Sequence, residues 1–98
     1  MKYMNLVYRK NPTIVSKIIG EESILVPIRE DVGDLSGKVY ILKGAGVRIW
    51  ELLDGERTLG DIKEIILKEF RIKSEIAQKD TTSFIRKLSD KQLVICKK

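Results

Sequence analysis

The sequence predicts an α+β fold, a three-stranded antiparallel sheet followed by a three-helix, winged-helix-turn-helix-like bundle. Three observations carry that prediction. Between residues 13 and 42 lie three β-rich runs, parted by glycine and acidic turn residues. From Val47 to Leu88 the apolar residues shift to the i, i+3, i+4 spacing of helices. A short apolar run, Gln92 to Cys96, then closes the chain as a final strand or packed tail. The order βββ-ααα-β belongs to the α+β class.

Residues 1–12 read as a polar lead-in ending at Asn11-Pro12, with Tyr3 and Tyr8 expected to staple the terminus. Residues 13–98 are expected to form a single domain, since 98 residues allow one core. Thr13 to Ile19 is the first strand and stops at Gly20. Glu21-Glu22 suits a short hairpin turn. Ser23 to Arg29 alternates, with Ile24, Val26 and Ile28 on one face. Pro27 cannot donate to a ladder, so its nitrogen should face away from a neighbour or sit at a bulge. Glu30 to Gly37 is a turn-rich connection, and Lys38 to Leu42 is the third strand. Short connections favour a meander.

Gly44 and Gly46 break the strand into a helix that carries Val47, Ile49, Trp50 and Leu53 on one face. Trp50 is expected in the core, with its N–H at the core's edge. Asp54-Gly55 reads as the helix stop, glycine being the residue that tolerates a left-handed C-cap. Thr58 opens the second helix, with Asp61 three residues on, a capping box with Asp in place of the usual Glu. Ile62, Ile65, Ile66 and Phe70 supply its apolar stripe. Ser74 is the expected N-cap of the third helix, with Glu75 in its first turn. Its stripe is Ile76, Ala77, Thr81, Phe84, Ile85 and Leu88.

Composition narrows the function. A hydrophobic content of 43% with 34% charged residues describes a globular domain rather than a disordered tail. No apolar run approaches the roughly 18 residues of a membrane span. The start lacks the apolar core of a signal peptide, so a cytoplasmic protein is expected. With no histidine, Ser-His-Asp and Cys-His catalysis are impossible. One cysteine, Cys96, excludes an internal disulfide and argues against zinc or an iron–sulfur cluster. It reads as a small buried residue. The scattered acids read as solvated surface charges, and Gly44-Ala45-Gly46 matches no phosphate loop. The expectation is no enzyme, no metal and no cofactor.

Two binding readings remain. A net charge of +5 permits nucleic acid, an anionic surface or an acidic peptide. A winged-helix DNA-binding regulator would use Ser74–Leu88 as recognition helix, presenting Lys79, Arg86 and Lys87 to phosphates. Only Gln78 and Ser83 suit base edges there, and Glu75 and Asp80 share the helix, which disfavours nucleic acid. The alternative is an open edge on the third strand, which invites an extended peptide to add as a further strand.

The run Leu52-Leu53-Asp54-Gly55-Glu56-Arg57-Thr58-Leu59-Gly60-Asp61-Ile62 resembles the PqqD family. Ile49-Trp50 before it, and Phe84, Leu88 and Leu93 after it, extend the resemblance over about residues 13–97. The core motif is fairly specific; the strands and last helix are generic. Where the family often has Leu-Asn before the first helix, this chain has Leu42 followed by Lys43-Gly44. Members of that family include the pyrroloquinoline quinone (PQQ) biosynthesis protein D. They are recognition elements for ribosomally made, post-translationally modified peptides (RiPPs).

The resemblance implies a non-catalytic clamp that binds a precursor's leader peptide as a strand beside the third strand, facing the third helix. The implied contacts are Val39, Tyr40, Ile41 and Leu42 from the strand, and Lys79, Ser83, Arg86 and Lys87 from the helix. Only one of the pairs Val39/Ile41 and Tyr40/Leu42 can face the cleft. The Asp54-Gly55 turn and Thr58 are structural on this reading. The implied partners are the leader peptide and a peptide-modifying enzyme, often of the radical S-adenosylmethionine (SAM) type. Monomer and homodimer both stay open, since a free strand edge can pair with another copy.

Overall fold

The computed structural model describes residues 3–27 and 39–97. The expectations placed on Ile28, Arg29, residues 30–37 and Lys38 lie outside the described residues. Strands β2 (Ile14–Ile19), β3 (Glu22–Pro27) and β4 (Tyr40–Lys43) form the antiparallel meander that the alternation predicts. The hairpin turns at Gly20-Glu21, one residue earlier than expected, because Ile19 pairs with Glu22. Opposed residues share a face. Leu25 stands opposite Tyr40, and Ser23 opposite Leu42. Leu25, Ser23 and Leu42 are buried on the inner face. Val15 and Val26, opposed on the other face, are exposed, as is Ile41.

A second antiparallel sheet, in the order β5-β1-β6, was not foreseen. Its central strand β1 (Val7–Lys10) comes from the supposed lead-in. Strand β6 (Val94–Lys97) is the expected final strand, and it pairs with β1 from Val7–Lys97 to Lys10–Val94. Tyr8 is buried in the core, with Cys96 opposite it and half-buried. Burial, reinforced by Tyr3 and Cys96, pushes the Tyr8 hydroxyl up to about 12, so it stays a neutral hydroxyl. The tyrosines therefore do more than staple a terminus.

Strand β5 (Asp54–Thr58) corrects a second expectation. Helix α1 (Ala45–Leu52) ends before the Asp-Gly pair, and its C-cap is Leu53 in extended conformation. Asp54 instead organises the next turn. Its Oδ1 accepts from the N–H groups of Glu56 and Arg57, each at 2.9 Å. These bonds hold its carboxyl below the ordinary carboxylate value. Gly55 has φ of 80°, a left-handed conformation, and a Cβ there would lie 3.3 Å from Arg9 Cβ. The pair is diagnostic because it bends β5 onto β1, not because it stops a helix.

Thr58 caps helix α2 (Leu59–Phe70) as predicted. Its side chain accepts from the Asp61 N–H at 3.0 Å, and Asp61 Oδ2 accepts from the Thr58 N–H at 3.0 Å. Thr58→Ala should lower stability by about 1 kcal/mol, read as a shifted urea midpoint with unchanged slope. An unshifted midpoint would mean that solvent replaces the cap. Helix α3 (Ser74–Asp90) starts one residue off expectation. Lys73 is its N-cap and makes no side-chain capping bond, while Ser74 is the first helical residue.

The core joins the inner face of the meander to all three helices. Ile49, Leu53, Leu59, Ile62, Ile66, Ala77, Ile85 and Leu93 are almost completely enclosed. Phe70 and Ile76, expected in the stripes, are exposed. Phe70 is the last residue of α2, and Ile76 lies about 100° round α3 from buried Ala77. Trp50 is buried as expected, but inside the core: its Nε1–H has no acceptor among the described residues, and Lys10 Nζ sits 5.5 Å from the ring centroid. Among the described residues no helix is long and apolar enough to cross a membrane.

Candidate functional site

In the meander β4 is an edge strand among the described residues, where it is hydrogen-bonded to β3 on one side only. Gly44 follows it with φ of 58° and serves as N-cap of α1. That left-handed residue reverses the chain from strand to helix within one position. The free side of β4 runs beside α3, and between them lies a groove of about 380 Å³. Val39, Tyr40, Ile41, Leu42 and Lys43 line one wall. Phe84, Lys87, Leu88, Lys91 and Leu93 line the other.

Burial separates the two alternating pairs of the strand. Val39 and Ile41 are exposed at 47% and 55%, whereas Leu42 is buried at 7% and Tyr40 is half-buried. The Tyr40/Leu42 pair therefore faces the helices, and Val39 and Ile41 enter the groove's rim from the outer side. Leu42, Leu88 and Leu93 are buried, so they present only an apolar floor. Lys91 Nζ lies 5.7 Å from the Tyr40 ring centroid, a cation–π contact that draws its ammonium to the groove mouth. Among the described residues the lining carries three lysines and no acid.

Of the helix residues the resemblance implied, the structure brings only Lys87 into this groove. Ser83 lies next door, in a hollow of about 290 Å³ lined also by Lys43, Ala45, Gly46, Ile49, Asp80, Phe84 and Lys87. Lys79 and Arg86 do not reach either space. They line a separate hollow with Glu75, Gln78, Thr82 and Ser83. Helix rotation explains the split. Lys87 sits about 60° round α3 from Phe84, whereas Arg86 sits about 160° round. Choosing polar residues found the solvent face, while the groove is set by the flank between that face and the core.

Lys43, Phe84 and Lys91 belong to the groove and were missed. Phe84 carried a helical-stripe signal that pointed to the core, and it is half-buried rather than enclosed. Lys91 lies just past the helix end, as the C-cap of α3. Away from the groove, Arg48 fixes α1 to α2. Its Nε and Nη2 donate to Glu69 Oε1 and Oε2, both at 2.9 Å. That pairing raises the Arg48 pKa and holds the Glu69 carboxyl below its ordinary value.

An apolar slot with cationic lips, flanked by strand backbone that is unpaired among the described residues, is equipped to hold an extended chain, and comparison with known proteins points the same way. A curated relative from Gluconobacter oxydans (strain 621H), named PqqA binding protein, is 32% identical over 57 residues. Those residues are 58% of this chain, which spans 59% of that relative's length. The structure of TbiB1 in complex with the TbiA(beta) leader peptide superposes with a TM-score of 0.74 at 26% identity, covering 88% of this chain and 93% of that one. A lasso peptide synthetase B1 complexed with the leader peptide reaches a TM-score of 0.75 at 17% identity, covering 90% and 96%; at that identity it speaks to the fold alone. The family model for coenzyme PQQ synthesis protein D (PqqD) matches residues 22–94. That stretch runs from β3 to the first residue of β6 and takes in both walls of the groove, and on it the chain belongs to the PqqD family.

Proposed function

We propose that this chain is a non-catalytic peptide chaperone. It binds the leader of a ribosomally made precursor peptide by β-strand addition and presents it to a modifying enzyme, of the radical SAM type, in PQQ or other RiPP biosynthesis in the cytoplasm. The observation that carries the reading is the open edge of β4 beside a lysine-rimmed apolar groove. The added strand would hydrogen-bond to the free N–H and C=O groups of residues 39–43. Alternate side chains would drop towards Phe84, Leu88 and Leu93. The relative named for binding PqqA, and the leader peptide in the TbiB1 structure, support this assignment.

The mechanism needs no bond-making. Holding a substrate peptide beside an enzyme raises its effective concentration. A dissociation constant near micromolar, roughly 8 kcal/mol, suffices and still allows release. Lys43, Lys87 and Lys91 favour an acidic leader and steer its approach. The binding set on this reading is Val39, Tyr40, Ile41, Leu42, Lys43, Phe84, Lys87 and Lys91, with Ser83 at its margin and Lys79 and Arg86 outside it.

The test is a tagged pull-down from the host's own lysate, with mass spectrometry of peptides and proteins, followed by hydrogen exchange. Recovery of a short encoded peptide that slows exchange at residues 40–43 is the expected result. Recovery of DNA instead, with a steep salt dependence, would replace this reading with a winged-helix regulator. Charge reversal gives a second check. Lys87→Glu with Lys91→Glu should slow association with an acidic peptide by about tenfold at low salt and flatten its salt dependence. Lys79→Glu with Arg86→Glu should change the rate much less. Equal effects would mean that net charge, not the groove, steers binding.

A further inference from the structure

Gly46 has no backbone reason to be glycine. It lies within α1, and it is not among the glycines with positive φ. Alanine there would favour the helix, by up to about 1 kcal/mol, the helix-interior figure. Its reason is Phe84. A Cβ at residue 46 would lie 2.9 Å from Phe84 Cε1 and 3.2 Å from Cζ. The ring is thus laid directly on the α1 backbone, across the space a side chain would take. The same ring lines both the groove and the neighbouring hollow that contains Gly46. It is the wall between them.

We propose that Gly46 is a specificity-determining position of the groove, acting through Phe84. The inference rests on the reading of the groove as a peptide site and deepens it. Without a side chain at residue 46, the ring lies back against α1 and the groove is open enough for a large apolar side chain. Strand addition presents every second residue to the groove. The ligand class is therefore an extended peptide with a large aliphatic or aromatic anchor, and with a carboxylate nearby for Lys87 or Lys91. Any side chain at residue 46 drives the ring towards β4 and selects smaller anchors. Gly46 touches no peptide itself; it is a positioning residue.

The experiment selects a displayed library of random short linear peptides on the wild-type chain, on Gly46→Ala and on Gly46→Ala with Phe84→Ala. Wild type should enrich Leu, Ile or Phe at one position. Gly46→Ala, still melting cooperatively, should shift that position to Ala or Val and bind the wild-type winners at least tenfold more weakly. The double variant should readmit large anchors, because the displaced ring is gone. An unchanged anchor profile in Gly46→Ala overturns the proposal. Should Gly46→Ala fail to fold, Phe84→Leu decides instead: a shorter wall should broaden the profile towards Trp and Phe, and an unaltered profile overturns the idea. Failure of the wild-type chain to enrich any peptide is a different outcome, and it removes the leader-binding reading itself.

Discussion

A chain lacking residues 1–12 is expected to lose its cooperative unfolding transition. By sequence those residues are a polar lead-in; in the structure they supply the middle strand of a sheet. Their removal leaves β5 and β6 with no partner between them. It also empties the site of buried Tyr8, and truncating a buried aromatic costs about 3–5 kcal/mol by itself. The Leu59 N–H loses Leu6 O, its acceptor at 2.9 Å, and Leu93 O loses the Asn11 N–H at 3.0 Å. Met4 and Leu6 leave the flank of the core. The sum exceeds about 5 kcal/mol, the lower end of what a small domain possesses. Circular dichroism during a urea titration reads the result. A truncated chain that melts cooperatively, with a midpoint close to that of the full chain, would show that β1 only decorates the fold.

Proline scanning along Val39–Leu42 should divide the variants into two classes and abolish peptide capture in one of them. Along an antiparallel edge strand, successive N–H groups point alternately into the sheet and out to the open side. Proline at an inward position breaks the ladder to β3, so the fold suffers. Proline at an outward position leaves the meander intact but removes a donor needed by the added strand, and its ring obstructs the approach. An unmade buried hydrogen bond costs about 1–3 kcal/mol, so affinity should fall by up to roughly a hundredfold in these folded variants. Circular dichroism sorts the classes, and titration with the recovered leader peptide measures the loss. If every folded variant binds within threefold of wild type, strand addition is the wrong mode.

The meander and the helices were legible because each has a local signal. Ile24 and Val26 alternate with buried Ser23 and Leu25, and Ile62 and Ile66 keep helical spacing. Thr58 and Asp61 formed the box that their spacing announced. Strand β1 was illegible for a physical reason. Val7–Lys10 buries only Tyr8, and both its partners are distant in sequence: Thr58 and Asp54 on one side, Val94–Lys97 on the other. No window of the chain contains that pairing. Asp54-Gly55 misled because the pair serves equally well in a C-cap and in a turn, and only the neighbouring Arg9 settles which. At the groove, the strand wall could be read from residues 39–42. The helix wall could not, because it falls on a flank where Phe84 looks like core and Lys87 looks like solvent face.

The placement of β1 also sets an order of events during synthesis. The β2–β3 hairpin has all its pairs between Ile14 and Pro27, so it can form as soon as that stretch leaves the ribosome. Strand β1 is made before it yet has nothing to pair with until Asp54–Thr58 emerges, and its second partner is Val94–Lys97. Strand β1, made before the hairpin, is therefore fully paired only long after it, and the nascent chain carries it incompletely paired until Val94–Lys97 emerges. Two lysine-or-arginine positions in that strand, Arg9 and Lys10, make the wait less hazardous, because charge on an open edge discourages pairing with other chains.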